Sequence, residues 1–432
     1  MSKRSLSRFG LVLLAAAACA LLALPALADS QARIVRLSDV HGTVQIDKNT
    51  GTGFENAFVN LPITQGTQLK TLANGRAEVE FEDGSTLRLT PDSTIQFSTL
   101  GLSDSGKHIS VINLVEGMAY INWLGKSGDE FSLNFSRERI ALDHAAHFRV
   151  DTSTEAANVA VFKGDLAVEG PSGSVNVGKK KTATFNTADN DKYTIANKIA
   201  EAPLDSWDQE AIAYHEQYAR NNTSPYAYGY SDLNYYGGYS MVPGYGMLWQ
   251  PYFTGLGWDP FMDGAWSWYP GYGYMFVSPY PWGWMPYRYG NWFFVPGYGW
   301  MWQPGGWNTW VTVPRYTATT TVLAHPLVAP TETMKTVVVG KGGPVSPSFA
   351  PPRLVVKAGS AGLGIPRGSL ANLGHFNSQV AKNGFAEVRP ARQFAASSPR
   401  SSGFSAPSGP MAAPSAGHSS ASHTSSSSSP HH

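Results

Sequence analysis

The stretch Arg76-Ala77-Glu78-Val79-Glu80-Phe81, followed by Asp83-Gly84-Ser85 and then Thr86-Leu87-Arg88-Leu89-Thr90, constrains the fold most. Ala77, Val79 and Phe81 alternate with acids, and Leu87 and Leu89 alternate with Thr and Arg. Each run therefore reads as a strand with one apolar face. Parity limits the turn. Opposed residues share a face, so the pattern predicts Phe81 opposite Leu87, Val79 opposite Leu89 and Glu80 opposite Arg88, across an odd-numbered loop at Asp83-Gly84-Ser85 or a bulge. Glu78, Glu80 and Glu82 then fall on the solvent face. Similar short alternations recur at Val44–Ile46, Ile109–Leu114, Phe131–Phe135, Asn158–Phe162 and Leu166–Val168. Such spacing predicts a mainly β fold for residues 29–204, an antiparallel sandwich or rolled sheet.

The first thirty residues address the compartment. Lys3, Arg4 and Arg8 precede an apolar run from Leu11 to Leu24, and Pro25-Ala26-Leu27-Ala28 ends in a small-x-small site. This predicts a signal peptide over 1–28, cleavage before Asp29, and export to the periplasm or envelope of a bacterium. A lipobox at Cys19 would need a large aliphatic residue where Ala16 stands. Cys19 is the only cysteine, so the mature chain has no disulfide framework and no thiolate cluster. No later segment is apolar enough for a transmembrane helix. Lys+Arg 32 against Asp+Glu 31 gives a net charge of +1, which supplies no field for nucleic acid.

Residues 205–222 predict an amphipathic helix. Ser206 and Gln209 form a capping-box pattern, and Trp207, Ala211, Tyr214 and Tyr218 make one stripe that suits packing on the sheet. Residues 223–316 differ in chemistry. They hold most of the 13 Trp and 20 Tyr, but only Asp232, Asp259, Asp263, Arg288 and Arg315 are charged. Pro243-Gly244-Tyr245-Gly246 recurs at Pro270 and at Pro296, and each copy is followed by bulky apolar residues. Pro-Gly suits the centre of a type II turn, so each unit reads as a hairpin, and three units predict a small aromatic β-meander. From Thr317 to His432 the chain is rich in Pro, Ser, Gly and Ala and carries a net positive charge. That composition predicts a mostly disordered basic tail.

Catalytic patterns are weak. His144 and His147 are the one His pair suited to a metal, but odd spacing in a strand sends them to opposite faces, and no third ligand is identifiable. Ordinary strand-edge histidines are the better reading, and no cofactor or metal is predicted. The terminal His431-His432 could hold metal adventitiously. There is neither a Walker loop nor a G-x-S-x-G elbow. Asp259 and Asp263 could be nominated as glycosidase carboxyls, but Asp259-Pro260 and Asp263-Gly264 read better as turns. Trp266, Trp268, Trp282, Trp284, Trp292, Trp300 and Trp302 could offer flat faces to sugar rings, with Tyr hydroxyls at the rims. The competing reading, which is favoured, is that these rings form the core of a region poor in Leu, Ile and Val. Too few short units are present to close a membrane barrel.

The β region resembles the FecR protein domain, the periplasmic sensor module of bacterial cell-surface signalling. The resemblance rests on Gly66-x-x-Leu69-x-Thr71, Gly75-x-Ala77, Phe81-x-Asp83-Gly84-Ser85-x-Leu87-x-Leu89, Leu114-x-x-Gly117 and Phe148-x-Val150, and it spans roughly Val35 to Phe185. Where the family usually has Gly-Thr before the Phe-x-Val strand, this chain has Ala146-His147. In that family a sigma-factor-binding segment and one transmembrane helix precede the domain. Here only an export signal precedes it. The aromatic part is similar to an uncharacterised Tyr/Trp/Gly-rich region found after such domains. The resemblance implies a non-enzymatic envelope protein with an envelope protein partner. The alternative is a module for polysaccharide or peptidoglycan.

Overall fold

The computed structural model describes residues 33–126, 128–220, 227–255, 257–269, 272–305, 336–339 and 353–388. Residues 1–28, read above as an export signal, and His431-His432 lie outside these residues. The first part of the chain is two β layers that share one long strand, His108–Trp123. Its first half pairs antiparallel with Thr94–Leu102 and parallel with Glu130–Phe135. Its second half pairs with Thr86–Leu89 and Ala146–Thr152 in the other layer. The crossing falls at Gly117, where φ is +87° and a Cβ would lie 2.3 Å from Ser93 Oγ. Only glycine fits there. Alternate residues of both layers, among them Leu37, Val79, Leu87, Phe97, Ile112, Leu133, Phe148 and Val159, fill one aliphatic core. The single parallel pair apart, every pairing within these layers is antiparallel.

The hairpin that opened the sequence reading keeps its parity but slips by two residues. Val79 opposes Leu87, Ala77 opposes Leu89, and Glu78 rather than Glu80 opposes Arg88. The cause lies in the connection. Phe81 N–H donates to Ser85 O at 2.8 Å, Gly84 N–H donates to Phe81 O at 2.9 Å, and the Asp83 carboxylate accepts from Ser85 N–H at 2.8 Å. The turn therefore occupies five residues. Phe81 joins the core edge-on to Trp123 and Phe131.

Three α-helices follow among the described residues. Helix α1 is Asp205–Tyr218, α2 is Tyr230–Tyr236 and α3 is Leu373–Asn383. The capping box at Ser206 does not form. Leu204 occupies the cap position, and the Asp205 carboxylate accepts from Ala202 N–H at 2.9 Å instead. The stripe of α1 is buried at Trp207 and Tyr214, but Asp205 and Asp208 are buried beside them.

All three Pro-Gly-Tyr-Gly units close hairpins, with Val242 paired to Gly246, Tyr269 to Gly273 and Val295 to Gly299. Gly244 and Gly297 have φ of +81° and +84°, and Tyr245 and Tyr298 N–H bond back to Val242 and Val295 O at 3.0 Å. That is the type II geometry which Pro-Gly favours. The units do not run on as a three-part meander. The first and third join through Trp249 and Trp302 into a four-stranded sheet, and Ala265–Tyr269 with Gly273–Val277 stands as a separate two-stranded one.

Within the stretch that composition assigns to the tail, Thr336–Val339, Arg353–Lys357 and Phe385–Val388 form a three-stranded sheet, with α3 between the last two strands. Asn372 caps α3 by accepting from His375 N–H at 3.0 Å, and Gly384 ends it at φ +77°. Ala361, Leu363, Ile365, Leu370, Leu373 and Val380 are buried against the aromatic core. The disordered-tail reading therefore does not extend to this segment, whose local apolar content is enough to pack.

Candidate functional site

The outer face of the strand Arg76–Glu80 is not solvated. Glu78, Glu80 and Glu82 are all buried. This corrects the solvent-face reading. Alternation separates two faces, but it does not say which of them faces water. Here helices α1 and α2 and the segment around Arg367 cover the charged face. Glu78 accepts from Arg88 Nε at 2.8 Å, from Arg367 Nη1 at 2.8 Å, and meets His215 Nε2 at 3.0 Å. Glu80 pairs with Arg36 at 3.1 Å and accepts from Gly229 N–H at 2.9 Å. Glu82 takes Arg33 through both oxygens, at 2.9 and 2.6 Å. Asp232 of α2 accepts from Arg36 at 2.7 Å and from Arg367 at 2.6 Å. Asp208 of α1 accepts from Arg88 at 2.8 Å and meets His147 at 2.6 Å. Asp205 takes the guanidinium of Arg149 and, at 2.8 Å, the hydroxyl of Tyr120.

The seam tunes its own charges. Burial alone would raise the Glu78 pKa, but His215, Arg88 and Arg367 reverse this and hold the carboxyl well below the usual range. Burial raises the Glu80 pKa, and its cationic neighbours only partly oppose that. A buried network with matched partners is strongly penalised when one member is removed, so it fixes geometry. None of these carboxylates stands open to a substrate as an acid–base pair.

The seven Trp proposed from sequence divide. Trp282, Trp284 and Trp302 are fully buried in the aromatic core, and Trp292 and Trp300 are half-buried against it. Trp266 and Trp268 are 38% and 48% exposed. They share a face with Tyr274, 59% exposed, which sits directly opposite Trp268. The other face of this hairpin is pinned to the β layers, where Lys48 donates to Ser267 Oγ at 3.0 Å and lies over the buried Tyr269 ring. Tyr274 completes the exposed patch. Its register opposite Trp268 follows from the Pro-Gly turn, but it was not singled out from sequence.

The histidines separate, though not by strand alternation, since His144 stands in the bend before the strand Ala146–Thr152, and His147 is no ordinary strand-edge residue. His147 is buried on Asp208, whereas His144 is exposed between Asp143 and Asp165. Among the described residues, no group of three or more His, Cys, Asp or Glu is placed to hold a metal ion. Asp259 accepts from Phe261 N–H at 2.7 Å within a turn, and Asp263 accepts from Tyr280 OH at 2.6 Å. No helix among the described residues is long and apolar enough to cross a membrane.

One sheet edge is open. Among the described residues, Lys192–Ala196 pairs only with Lys181–Asn186, and all five of its residues are exposed. Tyr193 and Ile195, each 41% exposed, extend the row of core residues Phe185 and Ala183 to that edge.

With the strand-sharing layers and the motif Phe81-x-Asp83-Gly84-Ser85 in place, comparison with known families is decisive for this part of the chain. Residues 67–167 match the FecR protein family. Residues 230–330 match DUF6600, a family of unknown function, so the aromatic hairpins fall in that region. No curated protein sequence matches the chain. Two crystal structures of a provisionally assigned anti-sigma factor from Parabacteroides distasonis are similar. The first is 20% identical over 33% of this chain and 64% of its own, with a TM-score of 0.29. The second is 18% identical over 34% and 72%, with a TM-score of 0.28. The chain thus spans less than two thirds of the first structure's length.

Proposed function

We propose that the chain is an exported, non-enzymatic sensing module of the bacterial envelope, whose β region, which carries the FecR match and runs beyond it, recruits a protein partner by strand addition at Lys192–Ala196. The observation that carries this is the open edge. Its backbone has pairing groups to offer, and Tyr193 and Ile195 supply an apolar row for alternate side chains of an added strand. The FecR match supports a regulatory role. The test is a photo-crosslinking residue at Tyr193 in the full chain, expressed in its native envelope. One specific adduct is expected, and it should vanish when Ile195→Lys places a charge on the edge. No adduct, or one indifferent to that change, sinks the reading. Export predicts a mature chain beginning at Asp29 by mass.

A second reading is favoured by the exposed row Trp266, Trp268 and Tyr274. It makes the aromatic region a polysaccharide or peptidoglycan platform, with sugar rings stacked on indole faces. Titration with peptidoglycan fragments should then shift Trp emission saturably, and Trp268→Ala should abolish the shift.

A further inference from the structure

A cleft of about 460 Å³ opens where three parts of the chain meet, and neither reading above uses it. Phe58 and Val59 come from the β layers, Pro279 and Pro281 from the aromatic region, and Leu363 and Ile365 from the C-terminal segment. These residues form an apolar stretch of wall, beside polar lining from Ser38 and Tyr236, and the volume lies in the range typical of small-molecule sites. Asp39, His41, Pro366 and Arg367 line both this cleft and a smaller adjoining cavity of about 50 Å³ that also contains Glu78 and Glu210.

The charged end of the cleft carries Asp39, His41 and Arg367. Arg367 gives its two terminal nitrogens to Glu78 and Asp232, at 2.8 and 2.6 Å, so its charge is already matched. Glu78 is likewise matched, by Arg88, Arg367 and His215. Asp39 differs. Its hydrogen-bond partner among the described residues is His41 Nε2, at 3.0 Å, and its carboxylate is only partly covered. Burial acts to raise its pKa, but His41 and Arg367 outweigh this and keep it below the usual value, so it is ionised at neutral pH. An ionised carboxylate at the end of an apolar cleft favours a cationic head on an apolar body.

We propose that this cleft binds a primary amine or guanidinium carried on an apolar stem, with the cation on Asp39 and the stem along the proline and aliphatic walls. No single part of the chain builds the site. A ligand there would bind only the assembled molecule and would stabilise it by mass action. The site does not depend on strand addition at Lys192–Ala196, and it can hold or fail independently.

Calorimetric titration of the full chain with n-hexylamine, n-hexanol and n-hexanoate tests this. Hexylamine should bind saturably, hexanol at least tenfold more weakly, and hexanoate not at all. Asp39→Asn, which keeps the shape, should bring hexylamine down to the level of hexanol. Val59→Trp should fill the cleft and abolish binding. Melting of each variant checks folding, and if Asp39→Asn does not fold, Val59→Trp alone decides. A short Pro-Lys-Pro peptide with blocked ends separates the two sources of such a head. Binding of the peptide would point to a polypeptide side chain, and binding of hexylamine alone to a small molecule. The proposal is overturned if neither amine binds, if hexanoate binds as well as hexylamine, or if binding survives Val59→Trp.

Discussion

The two cores of this molecule are built from different chemistry. Between the β layers, Val, Ile, Leu and Phe side chains dominate and Trp123 is the one large side chain with a polar tip, so packing is almost all that has to be satisfied. In the aromatic core almost every large ring carries an N–H or O–H, and burial obliges each to find an acceptor. Many of the acceptors are backbone carbonyls, one in helix α2 and most in irregular segments. Trp249 Nε1 donates to Leu233 O at 3.0 Å, Trp282 to Ala361 O at 2.7 Å, Trp302 to Tyr289 O at 2.7 Å, and Tyr236 OH to Ile365 O at 2.7 Å. Prolyl carbonyls serve as well, with Pro281 accepting from Arg36 at 2.6 Å and Pro286 from Trp292 at 3.0 Å. An aliphatic core has to leave its loops at the surface. A core of Trp and Tyr can take Gly- and Pro-rich loops inside, because its rings supply the donors those loops need. Between the two cores lies the seam of ion pairs.

The seam should be the most fragile of the three. Glu78→Gln keeps the shape but withdraws the charge that Arg88, Arg367 and His215 share. Leaving buried guanidinium groups uncompensated is expected to cost about 3–5 kcal/mol in urea unfolding. The pH dependence has a definite sign. A carboxyl depressed in the folded state contributes stability that is complete above its unfolded pKa, about 4.3, and is lost as pH falls through the lower folded value. Glu78 therefore steepens the acid limb below about pH 4. Glu80 is raised, so it gains on protonation and offsets part of that loss. In Glu78→Gln the acid limb should flatten. A loss under 1 kcal/mol with an unchanged acid limb would mean that the two cores do not depend on the seam.

How much of this was legible follows the same division. Alternation at Ala77, Val79, Leu87 and Leu89 identified the β layers and their buried face, because period two is a local property. It could not tell that the other face, with Glu78 and Glu80, is also covered. The covering groups, Asp208, Asp232 and Arg367, lie more than a hundred residues away. The two-residue slip of the hairpin was beyond parity, which fixes odd against even and nothing finer. The C-terminal segment was missed because composition was averaged over the whole stretch from Thr317. A local signal was present, since Asn372 and Gly384 bracket α3 as cap residues should. That Trp266 and Trp268 share one face follows from their two-residue spacing, but their exposure depends on Lys48, far away in sequence.

A mild truncation in each core sharpens the contrast. Ile112→Val removes one methylene from the aliphatic core and should cost about 0.5–1.5 kcal/mol. Trp282→Phe also keeps an apolar ring, stacked on Tyr280 at 5.0 Å, but it leaves the buried Ala361 carbonyl without its donor. The lost hydrogen bond and the vacated volume together should cost about 2–4 kcal/mol. Equal costs, measured by thermal melting of both variants, would mean that ring tips contribute nothing beyond packing.

The smallest effect is expected at the exposed end of the same aromatic region. Trp268 is nearly half exposed and faces Tyr274 across the hairpin, away from the core. What holds this hairpin is its other face, where Lys48 bonds Ser267 and covers the buried Tyr269 ring. Trp268→Ala should therefore shift stability by no more than about 0.5 kcal/mol, as for surface changes in general. Trp266 should behave less freely, since its ring also meets Phe276 edge-on at 5.7 Å. The pair of measurements tests whether the region separates into rings that build and rings that present. If Trp268→Ala costs more than about 1.5 kcal/mol, within the range of core truncations, the ring belongs to the core and has no face to offer a sugar. A near-neutral effect leaves the indole available, and a simultaneous loss of glycan-induced fluorescence change would then be a loss of binding and not of folding.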